Sequence, residues 1–135
     1  MNLQNKKVLV FGTGISGIAA ANLLEDQGAC PVLFDGNTQL KEADVREKLP
    51  AGSKAEIMIG DLSEDTMSEL ALVVLSPGVP TDLPLVNQLR DKGLKIWGEI
   101  ELAYEFSKGD VLAITGTNGK TTTTSLLGAI MQHAK

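Results

Sequence analysis

Short apolar runs separated by stretches of helical spacing constrain this chain more than any other feature. Val8-Leu9-Val10-Phe11, Val32-Leu33-Phe34 and Leu72-Val73-Val74-Leu75 are continuously apolar. That is how strands buried on both faces read. Residues 56–59 and 95–97 give two more short strands. After the first run, residues 15–27 place Ile18, Ala19, Leu23 and Leu24 at helical spacing, and Gly28 ends the pattern. Residues 40–49 suggest a polar helix closed by Pro50-Ala51-Gly52. Ser63 is placed to cap a short helix reaching Glu69. Residues 83–92 and 99–106 complete the helices. Strand and helix alternate throughout, which predicts an α/β fold: a doubly wound parallel sheet of about five strands.

Glycines mark the first turn. Gly12-x-Gly14-x-x-Gly17 follows a strand and opens a helix, and Asp35 ends the second strand. This is the context of a dinucleotide fingerprint. Taken alone it suggests an NAD(P)-binding oxidoreductase module, with Asp35 on a ribose hydroxyl. The same glycines also serve a tight turn and close helix packing.

A second glycine-rich segment reads Ile114-Thr115-Gly116-Thr117-Asn118-Gly119-Lys120-Thr121-Thr122-Thr123. Backbone N–H groups there can cradle phosphates, Lys120 can reach the β/γ-phosphates, and the Thr121 hydroxyl can ligate Mg²⁺. ATP and Mg²⁺ are the implied cofactors, with Lys120 as the catalytic candidate. The usual spacing would put glycine at position 114, where Ile114 stands. Residues 111–115 lead in as an expected strand, and a helical pattern leads out.

The net charge of −5, from 12 basic and 17 acidic residues, comes without a basic cluster. Nucleic acid and anionic membranes are therefore poor partners. No long apolar run or basic-then-apolar leader is present. Cys30 is the sole cysteine, which excludes an intrachain disulfide and fits a reducing cytoplasm. It is expected to pack inside, as are Trp97 and Tyr104. His133, the sole histidine, is expected to be exposed. Glu99 and Glu101 stand two apart on a helix, so solvated or structural roles are expected rather than a catalytic pair.

A dehydrogenase leaves the second glycine loop unexplained, and a plain phosphate-loop ATPase leaves the first. The T-G-T-N-G-K-T-T loop resembles the Mur ligase family. So do Ser76-Pro77-Gly78-Val79-Pro80 and Gly98-Glu99-Ile100-Glu101-Leu102, which are similar to the branch that joins D-glutamate to UDP-N-acetylmuramoyl-L-alanine in peptidoglycan synthesis. The resemblance implies a Rossmann-like UDP-binding domain at residues 1–107, and at 108–135 the start of an ATP-binding central domain. It implies that Gly14, Ile15, Ser16, Gly17, Asp35, Gly36 and Asn37 bind uracil and UDP, with Ser76, Pro77 and Gly78 beside them. Gly36-Asn37 departs from the Thr-Arg or Lys that the family often has after the Asp. The loop at Gly116, Thr117, Asn118, Gly119, Lys120, Thr121, Thr122 and Thr123 would hold ATP. The implied chemistry phosphorylates the carboxylate of UDP-N-acetylmuramoyl-L-alanine, and the amine of D-glutamate then displaces phosphate.

The sequence ends at Lys135, close behind the loop. The expectation is therefore the N-terminal part of a longer ligase, inactive alone. A non-enzymatic nucleotide-binding or interaction protein is the further alternative. Leu126, Leu127, Ile130, Met131 and Ala134 form an apolar stripe in the tail, so self-association is also expected.

Overall fold

Strand–helix alternation is realised in the computed structural model, which describes residues 1–134. The strands are β1 (Lys7–Phe11), β2 (Cys30–Asp35), β3 (Glu56–Ile59), β4 (Leu70–Leu75) and β5 (Ile96–Gly98). They form one sheet in the order β3-β2-β1-β4-β5, and every ladder is parallel. The helices are α1 (Ile15–Asp26), α2 (Glu42–Arg46), α3 (Glu64–Glu69), α4 (Pro84–Asp91), α5 (Glu99–Glu105) and α6 (Lys120–His133).

Continuous apolar runs are needed because both faces of the sheet are covered. Val8, Val10, Leu33, Leu72 and Val74 share one core with α1, α2 and α5. Leu9, Phe11, Phe34, Val73 and Leu75 share the other with α3 and α4. Side chains alternate across a strand, so β1 feeds both layers. Burying each such Leu, Val or Phe stabilises the fold by roughly 1.5–3 kcal/mol. Phe11 meets Phe34 edge to face, with centroids 4.9 Å apart at 69°. Ser63 caps α3 as expected, its Oγ accepting from the Thr66 N–H at 3.2 Å.

β1 has β2 on one side and β4 on the other. The chain winds outward from β1 to β3, then crosses back to β4. That reversal opens a crevice at the carboxyl ends of β1 and β4, where sheets of this kind bind ligands.

Several details differ from the sequence reading. Residues 111–115 join no ladder, and only Ile114 among them is half-buried. An apolar run becomes a strand only where a neighbouring strand accepts its N–H and C=O groups. The helix expected over 40–49 is confined to Glu42–Arg46, although Val45 and Leu49 are both buried. Cys30 is exposed, because it opens β2 at the amino-terminal rim of the sheet, before the strand enters the core. Tyr104 is 67% exposed on α5, whereas Leu102 is the residue that α5 buries. Trp97 packs on the core as expected, and His133 is exposed. No residue of α6 is buried. Among the described residues, no helix is long and apolar enough to cross a membrane.

Candidate functional site

The β1–α1 turn is built by glycines with separate jobs. Gly12 sits at φ +116°, and a Cβ there would meet Ser76 Oγ at 2.7 Å. A Cβ on Gly17 would lie 2.0 Å from the Gly12 carbonyl oxygen. No side chain fits at that distance, so Gly17 lets α1 close onto the turn. Gly14 differs: a Cβ there would meet nothing within 4 Å. It is the N-cap of α1, and no side chain caps the helix. The first N–H groups of α1 have no intrahelical acceptor, so they and the helix dipole make an anion site beside open space. Ile15, the first residue of α1, is 93% exposed.

Asp35 ends β2 alongside this turn. Its Oδ2 accepts from Thr13 Oγ1 at 2.9 Å, and its Oδ1 accepts from the Asn37 N–H at 3.0 Å. Thr13 is only 4% exposed. Each carboxylate oxygen keeps a second lone pair, so Asp35 can still accept from a ligand. Asn37 Oδ1 accepts from the Gln39 N–H, which sets the loop after β2, and a Cβ on Gly36 would meet nothing within 4 Å.

Ser76, Pro77 and Gly78 follow β4, across the crevice. The Ser76 N–H donates to the Phe11 carbonyl at 3.0 Å, and its Oγ donates to Glu99 Oε1 at 2.8 Å. The Gly98-Glu99-Ile100-Glu101-Leu102 run proves to be a helix-starting device. Glu101 Oε2 accepts from the Gly98 N–H at 2.6 Å, and Leu102 is buried. A cavity of about 490 Å³ opens between the Ser76-Pro77 turn and Trp97 on β5. The larger cavity, about 600 Å³, lies at the opposite rim, near Asn22, Cys30 and Lys54. Neither cavity is lined by the glycine turn or by Asp35, so the switch point is favoured by the uncapped head of α1 and the carboxylate beside it rather than by cavity volume.

The structure thus gathers Gly14, Ile15, Ser16, Gly17, Asp35, Gly36, Asn37, Ser76, Pro77 and Gly78 at one edge of the sheet. Thr13 and Glu99 are the participants that sequence reasoning missed. Thr13 lies inside the glycine motif, where the x positions attract no notice. Glu99 stands out in the sequence as one of two nearby carboxylates and as part of the Gly98 to Leu102 run, and neither signal pairs it with Ser76.

The second loop has a different setting. Gly116 (φ +150°) and Gly119 (φ +77°) turn the chain into α6, with Gly119 as N-cap. Lys120 Nζ donates back to the Gly116 carbonyl at 2.6 Å, laying the ammonium on the loop. Thr117, Asn118, Thr121, Thr122 and Thr123 are exposed around it. Left-handed glycines, unpaired helix-heading N–H groups and a lysine folded on the loop fit a phosphate. Among the described residues, no group of three or more His, Cys, Asp or Glu side chains could hold a metal ion.

Fold and site together define a Rossmann-like module with an uncapped helix N-terminus set beside an anchored carboxylate. The family model for the Mur ligase MurD-like N-terminal domain matches residues 6–98, and the chain belongs to that family. It is 54% identical over 131 residues to the UDP-N-acetylmuramoylalanine–D-glutamate ligase of Lachnospira eligens, covering 97% of this chain and 29% of that one. It is 53% identical to the enzyme of the same name from Lachnoclostridium phytofermentans, covering 98% and 29%. The chain thus spans less than a third of the length of these relatives. Among solved structures, a pseudomurein peptide ligase type C from Methanothermus fervidus shares the fold, at a TM-score of 0.61 and 24% identity. That match covers 95% of this chain and 26% of the other.

Proposed function

We propose that this chain is the UDP-binding part of an ATP-dependent ligase that adds D-glutamate to UDP-N-acetylmuramoyl-L-alanine in peptidoglycan synthesis. The observation that carries the reading is the open, uncapped head of α1 at Gly14, set beside a carboxylate held by Thr13. Asp35 accepts the imide N–H of uracil. The exposed Ile15 side chain lies against the ring, and Ser16 and Asn37 offer polar contacts. The N–H groups heading α1 take the diphosphate, with Gly36 leaving room and the Ser76-Pro77-Gly78 turn closing the far side. Gly17 contributes by holding α1 close.

We place the domain boundary at residue 107. Residues 1–107 form the UDP-binding domain, and residues 108–135 open the ATP-binding domain. In the second loop, Gly116 to Thr123 would cradle the ATP phosphates, with Lys120 against charge on the transferring phosphoryl group. Thr121 would ligate Mg²⁺, whose chemistry there is to neutralise charge on the β- and γ-phosphate oxygens. Substrates of this kind support a cytoplasmic setting.

An NMR titration tests the reading. UDP-N-acetylmuramoyl-L-alanine should shift the amides of Gly14, Ile15, Ser16, Gly17 and Asp35. Shifts confined to the opposite rim, near Asn22 and Lys54, would contradict it. This chain alone should release no phosphate from ATP in response to D-glutamate, because it spans less than a third of the length of the ligases it resembles.

A further inference from the structure

Ser76 has a hydroxyl at the ligand crevice, yet that hydroxyl is already engaged. It donates to Glu99 Oε1 at 2.8 Å, from the loop after β4 to the first residue of α5. The same oxygen packs on the glycine turn. A Cβ added to Gly12 would lie 2.7 Å from it, and one added to Gly17 would lie 3.3 Å from it. Ser76 is therefore wedged between Glu99 and the head of α1. The rest of its loop is pinned as well. The Ser76 N–H donates to Phe11, and the Val79 N–H donates to the Ser76 carbonyl at 2.9 Å. Pro77 has no N–H to offer. Gly78 is left with the one N–H in this turn that has no partner among the described residues.

We infer that Glu99 is a positioning residue for nucleotide binding. It acts through Ser76 to hold the β4 loop against the first turn of α1, so that the Gly78 N–H and the α1 N–H groups converge on one diphosphate. The inference rests on the proposed UDP site and deepens it. Ser76 thereby acts as a strut, and the ligand contact of its loop falls to Gly78. Glu99 suits this task because it begins α5, where the helix dipole favours a carboxylate. A carboxylate accepting from a hydroxyl also makes a stronger bond than a neutral pair.

The test is a double-mutant cycle on UDP affinity in the 135-residue chain, measured by calorimetry, with thermal unfolding followed alongside. Ser76→Ala and Glu99→Ala should each weaken UDP binding about tenfold, and the double variant should weaken it about tenfold rather than a hundredfold, since the two act as one unit. Glu99→Gln keeps an acceptor oxygen for Ser76 and should restore affinity to within about twofold of the parent. A purely structural role would lower the unfolding midpoint in proportion to affinity. Positioning lowers affinity in Ser76→Ala while the midpoint stays in place. Additive losses, unchanged affinity in Glu99→Ala, or failure of Glu99→Gln to rescue would overturn the inference and leave the UDP site standing. If the parent chain binds no UDP, the proposed function falls, and this inference falls with it.

Discussion

Thr13 Oγ1 donates to Asp35 Oδ2 at 2.9 Å, tying the middle of the glycine turn after β1 to the carboxyl end of β2. The bond fixes the carboxylate beside the head of α1 with lone pairs to spare. Asp35→Ala should weaken UDP binding by ~1–3 kcal/mol, because it leaves a ligand N–H and the Thr13 hydroxyl unpaired. Thr13→Val removes only the anchor and should cost less, about 1 kcal/mol. Calorimetry on both variants checks the order. A larger loss in Thr13→Val than in Asp35→Ala would reverse the roles assigned here.

The glycines of the turn should separate by phenotype. In Gly17→Ala the new methyl would sit 2.0 Å from the Gly12 carbonyl oxygen, so α1 must move. Overpacking of this kind costs ~1–3 kcal/mol or more, and denaturant unfolding should show it directly. Gly14→Ala meets open space. Its stability should change by less than about 1 kcal/mol while UDP affinity falls, because the methyl projects where the diphosphate would sit. Equal destabilisation of the two variants would refute this division.

At the opposite rim, Lys7 Nζ lies 2.6 Å from Glu69 and 3.7 Å from Glu56. The hydrogen bond to Glu69 is the main cause that raises its pKa above the usual 10.5. A raised lysine pKa means that the contribution to stability is full below 10.5 and is lost as pH climbs through the folded-state value. The side chain is 35% exposed, so solvent screens the pair, and Lys7→Met should cost only ~0.5 kcal/mol near neutral pH. Comparing unfolding midpoints of the parent and the variant across pH 7 to ~11.5 should show the difference shrinking at the alkaline end. A difference that grows with pH would contradict the assignment.

The tail carries an exposed apolar stripe, with Leu126 61%, Ile130 55% and Met131 54% exposed. Leaving such side chains wet is unfavourable, so this face should drive self-association of the 135-residue chain. Light scattering across a concentration series should show mass rising with concentration. Ile130→Glu, or a cut after Ser107, should abolish the rise. A strict monomer throughout would rule the association out.

Much of this was legible in the sequence because the sheet is buried on both faces. Val8 to Phe11 and Leu72 to Leu75 read as strands buried on both faces, and Gly28 and Ser63 marked helix ends through local backbone chemistry. What sequence spacing could not give was contact between distant residues. Thr13 with Asp35, and Ser76 with Glu99, depend on the order β2-β1-β4-β5, which no periodicity encodes. The apolar residues 111–115 misled in the other direction, since a strand needs a partner as well as a pattern. Cys30 misled by one position: Pro31 and Val32 behind it are buried, and Cys30 itself stands at the rim.

The most direct measurement is a side-by-side calorimetric titration of this chain with UDP and with NAD. UDP should bind and NAD should give no heat of binding, with the UDP signal weakened by Asp35→Ala. Binding of NAD without binding of UDP would contradict it, and would turn the glycine turn and Asp35 back into a dehydrogenase fingerprint.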